Sequence, residues 1–219
     1  MGSAERRSRE RADTRQRILE AAREMFVERG YEATTMRAIA DRIEYTPTAI
    51  YHHFRNKEAL LSELCTTDFR ALGAAFQKLG RIEDPVERLR RAGQAYVEFG
   101  LQHPMQYQLM FMTRKPPEIM TGLFPLSHDS TPLRAIDPGE GAYAFLRQTC
   151  ADVIATGRVR PEYQDPDELA LMAWSAVHGL LSLRIVKQDE AFIQWSDTKT
   201  SAKRICDALL EGALRERLA

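Results

Sequence analysis

All-α is the fold class this sequence predicts: an N-terminal three-helix unit followed by a larger C-terminal helical domain. Three observations predict it. Apolar residues recur at three- and four-residue spacing along most of the 219 residues, the period of a helix with one buried face. No stretch shows strand alternation or a hairpin signal, and there is no internal repeat. The breaks between periodic runs fall on helix start and stop residues, among them Gly30, Pro47, Gly80 and Asp84-Pro85. Hydrophobic residues make up 44% of the chain, enough to build a core, which excludes global disorder. The length allows one or two domains.

The first helix is expected from Asp13, because Asp13 to Gln16 resembles a capping box. Its apolar stripe is Ile18, Ala22, Met25 and Phe26, and Gly30 ends it as a residue just past a helix should. Residues 1–12 precede it as a basic, flexible arm. Residues 1–17 hold six arginines (6, 7, 9, 11, 15, 17) against Glu5, Glu10 and Asp13, a net of 6 − 3 = +3. Such an arm suits either phosphate contacts or a merely solvated tail. The whole chain has zero net charge, so bulk attraction to nucleic acid is not the signal.

The next two elements carry the chemistry. Met36, Ile39, Ala40 and Ile43 stand at i, i+3, i+4 and i+7, one apolar helical face. Glu44-Tyr45-Thr46 breaks the pattern. Thr46 can cap the following helix, and Pro47 fits its first position, where a missing N–H costs nothing. Ile50 and Phe54 form the apolar side of that short helix. Its other side shows Pro47, Thr48, Tyr51 and His52, with no acid. Two short helices joined by a three-residue turn form a helix-turn-helix, and a second helix of this kind fits a DNA major groove.

A longer helix starts near Asn56-Lys57, carries Leu60, Leu61, Leu64, Phe69, Leu72 and Phe76, and stops near Gly80. Asp84-Pro85 opens another, with Leu89, Ala92, Tyr96, Val97 and Phe99 on its buried side. His103-Pro104 opens a short one rich in Met and aromatics. Residues 113–139 contain five prolines and read as loop, with one short helix around 117–123. Three helices remain, at about 139–157, 166–187 and 199–217. Segment 169–186 is apolar on nearly every side, so part of it is expected to face a second subunit. Ala173, Ser175, Ala176, Gly179 and Ser182 allow close helix approach there, and Ile205, Ala208, Leu209 and Ala213 continue the apolar surface on the last helix. The domains are read as arm 1–12, helix-turn-helix 13–58, and ligand-binding and dimerisation domain 59–219.

These residues resemble a known family. The runs TRQRILEAAREMFVERGYEATTMRAIA at 14–40 and AIYHHFRNKEALL at 49–61 are similar to the N-terminal part of TetR-family transcriptional regulators. Trp174-Ser-Ala-Val-His178-Gly179 looks like the Trp-His-Gly variant of the family's C-terminal domain. The turn departs from the usual Ala-Gly-Val-Ser-x-Gly, reading Ile43-Glu44-Tyr45-Thr46-Pro47-Thr48. A left-handed residue at Glu44 would cost about 1 kcal/mol. Thr48 in place of glycine brings a side chain close to DNA.

The resemblance implies a one-component regulator, a repressor that binds a palindromic double-stranded DNA operator as a homodimer and is released by a small apolar effector. Thr35 and Lys57 look like phosphate contacts, with Tyr51 and His52 near the backbone. Arg37 is the residue to reach a guanine edge through O6 and N7. Thr46, Pro47 and Thr48 stand at the head of the reading helix, the latter two offering apolar contact to thymine methyls. A solvated helix arginine is the alternative for Arg37, and core packing for Tyr51. The implied effector pocket draws on Tyr96, Met105, Tyr107, Met110, Phe111 and Phe124, because methionines and aromatics adapt to varied apolar shapes. Trp174 and His178, four apart on one helix, and Arg147 and His103 are its polar members; plain core is the alternative for each.

No His/Cys/Asp cluster has metal-ligand spacing, and Gly-x-Gly, P-loop and nucleophile-elbow patterns are absent, so neither cofactor nor enzyme activity is expected. The competing readings are a helix-turn-helix protein without effector and an enzyme carrying a DNA-binding head. Cys65, Cys150 and Cys206 form an odd set without CxxC spacing, which fits a reducing cytoplasm. No window is read as holding the ~18 apolar residues of a membrane span, and no apolar region marks a secretory signal.

Overall fold

A computed structural model describes residues 3–114 and 141–215. Helices α1 (Ser3–Arg29), α2 (Met36–Arg42), α3 (Pro47–Tyr51), α4 (Lys57–Gln77), α5 (Pro85–Gln102), α6 (Pro104–Tyr107), α7 (Gly141–Ala155), α8 (Pro166–Val186) and α9 (Thr198–Ala213) follow in order. No strand occurs among the described residues. A single antiparallel bridge joins Val159 to Leu214.

Most boundaries follow the chain's punctuation. Gly30 takes φ +83° and its N–H reaches the Phe26 carbonyl at 3.1 Å, the left-handed stop that only glycine adopts without strain. Asp84 and Asp165 cap α5 and α8, each ahead of a proline at the first helical position. Asn56 Oδ1 accepts from Ala59 N–H at 2.8 Å and caps α4. The start of α1 differs from expectation. The helix runs from Ser3, so residues 3–12 of the basic segment are helical rather than a flexible arm, and Asp13 lies inside the helix instead of capping it. A run of Glu and Arg has high helix propensity and needs no cap at Asp13 to continue.

Two compact units form. One comprises the residues up to Asp68 with the stretch from Met105; the other comprises Phe69–Pro104 and the residues from 141 on. The division between these two units falls inside α4. Arg23 grips Asp68 through both carboxylate oxygens and Arg15 pairs with Glu63, tying the first three turns of α4 to α1. In the first unit Ile18, Ala22, Phe26, Ile39, Ala40, Ile50, Leu60 and Leu61 are wholly buried. In the second, Val86, Leu89, Cys150, Val153, Leu169, Ala170 and Leu210 make one core from α5, α7, α8 and α9. A sulfur-to-glycine approach closes it: a Cβ at Gly93 would stand 2.5 Å from Cys206 Sγ.

Helix α8 corrects the membrane expectation. Its 21 residues, mean hydropathy 1.6, reach the length and composition of a span. It packs on α5, α7 and α9 along one side, with 22% of its apolar window buried. Leu169, Ala170, Val177 and Leu181 are its buried side. Leu171, Leu183 and Val186, each 55% exposed, lie with Ser175 and Gly179 on the opposite side. The predicted short helix at 117–123 lies outside the described residues, as does Phe124.

Candidate nucleic-acid interface and ligand site

The reading head is built from capped ends. Thr35 is the N-cap of α2, its Oγ1 accepting from Ala38 N–H at 3.1 Å; Thr46 caps α3 through Ala49 N–H at 3.3 Å. Thr34 beneath is fully buried and donates toward the carbonyls of Met25 and Gly30, which closes the end of α1. Between the caps, Glu44 has φ +60°, the only non-glycine in that region among the described residues. The strained position expected in the turn is therefore real.

Thr35, Arg37, Thr46, Thr48, Tyr51 and His52 are exposed, and Pro47 is half-buried. Tyr51 is 54% exposed, so core packing does not hold it. Lys57 has a fold contact as well. Its ammonium sits 4.0 Å from the centre of the Tyr31 ring and donates to the Tyr31 carbonyl at 2.8 Å. The Tyr31 hydroxyl donates to Glu58 at 2.9 Å. Glu58 is held below the usual carboxylate range by a backbone hydrogen bond first and by that hydroxyl second. Near the end of α3, burial and the charges of Arg11, Arg15 and His52 lower the proton affinity of His53. That cationic cluster is a place where an approaching phosphate is electrostatically favoured.

The expected pocket residues fall in both units. In the first, Tyr107 and Met110 are buried, and the Tyr107 and Phe111 rings stand 5.1 Å apart; Met105 is half-buried. Here α6 widens into a π-turn over Gln108–Met112, with Thr113 N–H bonding the Gln108 carbonyl at 2.9 Å. Sequence periodicity gave no sign of it; such turns concentrate at functional sites. In the second unit Trp174, Tyr96 and His178 form a chain. Trp174 Nε1–H donates to Tyr96 Oη at 3.0 Å, and Tyr96 Oη lies 3.0 Å from His178 Nδ1. Tryptophan can only donate, so Tyr96 Oη accepts from it, and the direction of the bond between Tyr96 Oη and His178 Nδ1 follows the histidine tautomer. Burial lowers the His178 pKa, which keeps the ring neutral. The i, i+4 pairing of Trp174 and His178 was legible; Tyr143, edge-on to Trp174 at 6.3 Å, was not. Arg147 donates to Asp167 at 2.7 Å, and the ring of exposed His103 lies tilted against Phe99, centroids 5.1 Å apart.

Among the described residues no group of three His, Cys, Asp or Glu could hold a metal ion. All three cysteines are free and buried. Burial pushes the Cys150 thiol up to about 12 and the Cys206 thiol to about 11, which leaves both protonated and unreactive at neutral pH.

Comparison with known proteins gives the same picture. The family model for "Bacterial regulatory proteins, tetR family" matches residues 18–64, and that for "Tetracyclin repressor-like, C-terminal domain" matches residues 89–209. The HTH-type transcriptional regulator UidR of Escherichia coli K12 is 39% identical over 74 residues, 34% of this chain and 35% of UidR. The transcriptional activator FasR of Mycolicibacterium smegmatis is 37% identical over 103 residues, 46% of this chain and 47% of FasR. The chain thus spans about a third to a half of the length of these curated relatives. The fatty acid degradation regulator FadR from Bacillus halodurans shares the fold, with TM-score 0.69 at 17% identity over 93% of this chain and 97% of that one.

Proposed function

The chain belongs to the TetR family of transcriptional regulators with a DNA-binding helix-turn-helix, and we propose that it is a homodimeric repressor released from a palindromic operator by a small apolar effector. In this reading residues 13–58 bind DNA, residues 59–219 bind effector and partner subunit, and the protein works in the cytoplasm without cofactor or catalysis. The observation that carries it is α3: a capped, acid-free helix whose Thr48, Tyr51 and His52 are exposed beside a cationic cluster. The buried Met/aromatic stretch after α5 supports an apolar effector, as does the fatty acid degradation role in the name of FadR. FasR is named an activator, which makes activation the second reading.

Selection of duplexes from a randomised pool tests the DNA assignment. The expected product is an inverted repeat with half-sites about 10 bp apart, the spacing at which paired helices enter successive major grooves. Arg37→Ala should relax preference at one position per half-site, costing about 1–3 kcal/mol, whereas Lys57→Ala should weaken all duplexes alike. Equal, sequence-independent losses from both variants would remove Arg37 from the base edge. Transcription from the selected site, with and without protein, decides the sign: loss of transcript supports repression and gain supports activation.

A further inference from the structure

We propose that Arg15 and Arg17 are positioning residues that clamp the reading helix α3 at its two ends, and that neither serves as a DNA contact. They belong to the basic N-terminal cluster, whose charge alone would assign them to phosphates. Their geometry points to the segments that flank α3. Arg17 reaches the turn before α3: its guanidinium lies 5.2 Å from the centre of the Tyr45 ring, with donors 3.3 Å from both Tyr45 Oη and the Ile43 carbonyl. Ile43 is the C-cap of α2, so that carbonyl belongs to a helix end that needs an outside donor. Thr14 Oγ1 stands 3.5 Å from the same Tyr45 hydroxyl. The turn it holds contains Glu44 in the left-handed region. A strained turn persists only where its surroundings over-determine it.

Arg15 does the same past the other end of α3. Its guanidinium lies 4.2 Å from the centre of the Phe54 ring, donates to the His53 carbonyl at 3.0 Å, and pairs with Glu63 on α4. A planar fork that stacks on a ring while donating to a carbonyl is an arginine geometry; lysine has the charge without the plane. Residues 15 and 17 of α1 therefore fix both ends of α3, a five-residue helix too short to hold its own orientation.

The proposal rests on α3 being the reading helix, and the test separates the two. Affinities are measured for a duplex selected by the wild-type protein and for a scrambled duplex, across a salt series, for Arg15→Lys, Arg17→Lys, Arg17→Met and Tyr45→Leu. If the wild type selects no duplex, the DNA reading fails before the clamp is examined. If it does, each variant should lose about tenfold on the selected duplex, the size of one lost charge-assisted hydrogen bond. The scrambled duplex should be bound unchanged, and the slope of log affinity against log salt should stay the same. Tyr45→Leu changes no charge, so it keeps the proposal testable if an arginine variant fails to fold. Combining Arg17→Lys with Tyr45→Leu should cost no more than either alone. A salt slope lower by about 0.9 in Arg17→Met, with both duplexes weakened equally, would mark a phosphate contact and overturn the clamp. Unchanged discrimination in Tyr45→Leu would overturn it as well.

Discussion

At the scale of single residues, what a side chain can do is set by which partners its neighbours leave it. The Trp174–Tyr96–His178 chain is the clearest case. The tryptophan proton makes the tyrosine oxygen an acceptor, and the histidine tautomer then sets the direction of the bond between Tyr96 and Nδ1. A second proton on His178 would make both ring nitrogens donors and place a charge where burial disfavours it. Burial lowers the His178 pKa from the ordinary 6.5. The folded state therefore binds fewer protons than the unfolded chain below pH 6.5, and stability is lost as pH falls from there toward the folded value. Melting at pH 7.5 and 5.5 should show a drop for the wild type and a smaller drop for His178→Asn, whose amide oxygen can accept from Tyr96 but does not titrate. His53 is shifted the same way and contributes equally in both proteins. An identical drop in the two would place the acid sensitivity elsewhere.

At the scale of elements, caps and apolar stripes were readable because both are local. Gly30, Thr46-Pro47 and Asp84-Pro85 stop and start helices where their own backbone chemistry requires. The stripes of α1 to α5 are all buried as expected. Glu44 was readable as a strained position for the same reason, and it carries a prediction. Glu44→Gly should raise stability by about 1 kcal/mol, since glycine takes positive φ without a Cβ clash. Chemical denaturation checks it: no change, or a loss, would mean that the turn energetics are set by the Arg17–Tyr45 contacts instead. Non-local features stayed hidden. The π-turn over Gln108–Met112 and the grip of Arg23 on Asp68 depend on packing between residues far apart in sequence. The boundary within α4 follows from the same long-range pairs. A charge count over residues 1–17 could not distinguish Arg15 and Arg17, which bond to the segments flanking α3, from the rest.

At the scale of the whole molecule, two properties are expected to depend on each other: assembly and response. The outward side of α8 carries Leu171, Ser175, Gly179, Leu183 and Val186, an apolar stripe that a second copy would cover. A Cβ at Gly179 meets nothing within 4 Å in its own chain. Gly179→Arg should thus fold as a protomer but bury an unpaired charge in any dimer built on this stripe. Sedimentation should find monomers; an unchanged dimer would move the interface off α8. If the dimer holds, effector and operator compete through its conformational equilibrium. Helix α4 runs unbroken from Lys57 to Gln77, with its first turns in the DNA-reading unit and its last in the other. An effector can shift that equilibrium only by its differential affinity for the two states, typically about 1–3 kcal/mol of coupling. Linkage then fixes a second quantity, because operator DNA must weaken effector binding by the same factor as effector weakens operator binding. A thermal-shift screen of small apolar compounds can supply the ligand, since a hundredfold excess over Kd stabilises by about 2.7 kcal/mol. Its affinity should then fall by about 5- to 150-fold when the selected duplex is present. Equal affinities with and without the duplex would leave the second region a dimerisation unit and end the case for release by ligand.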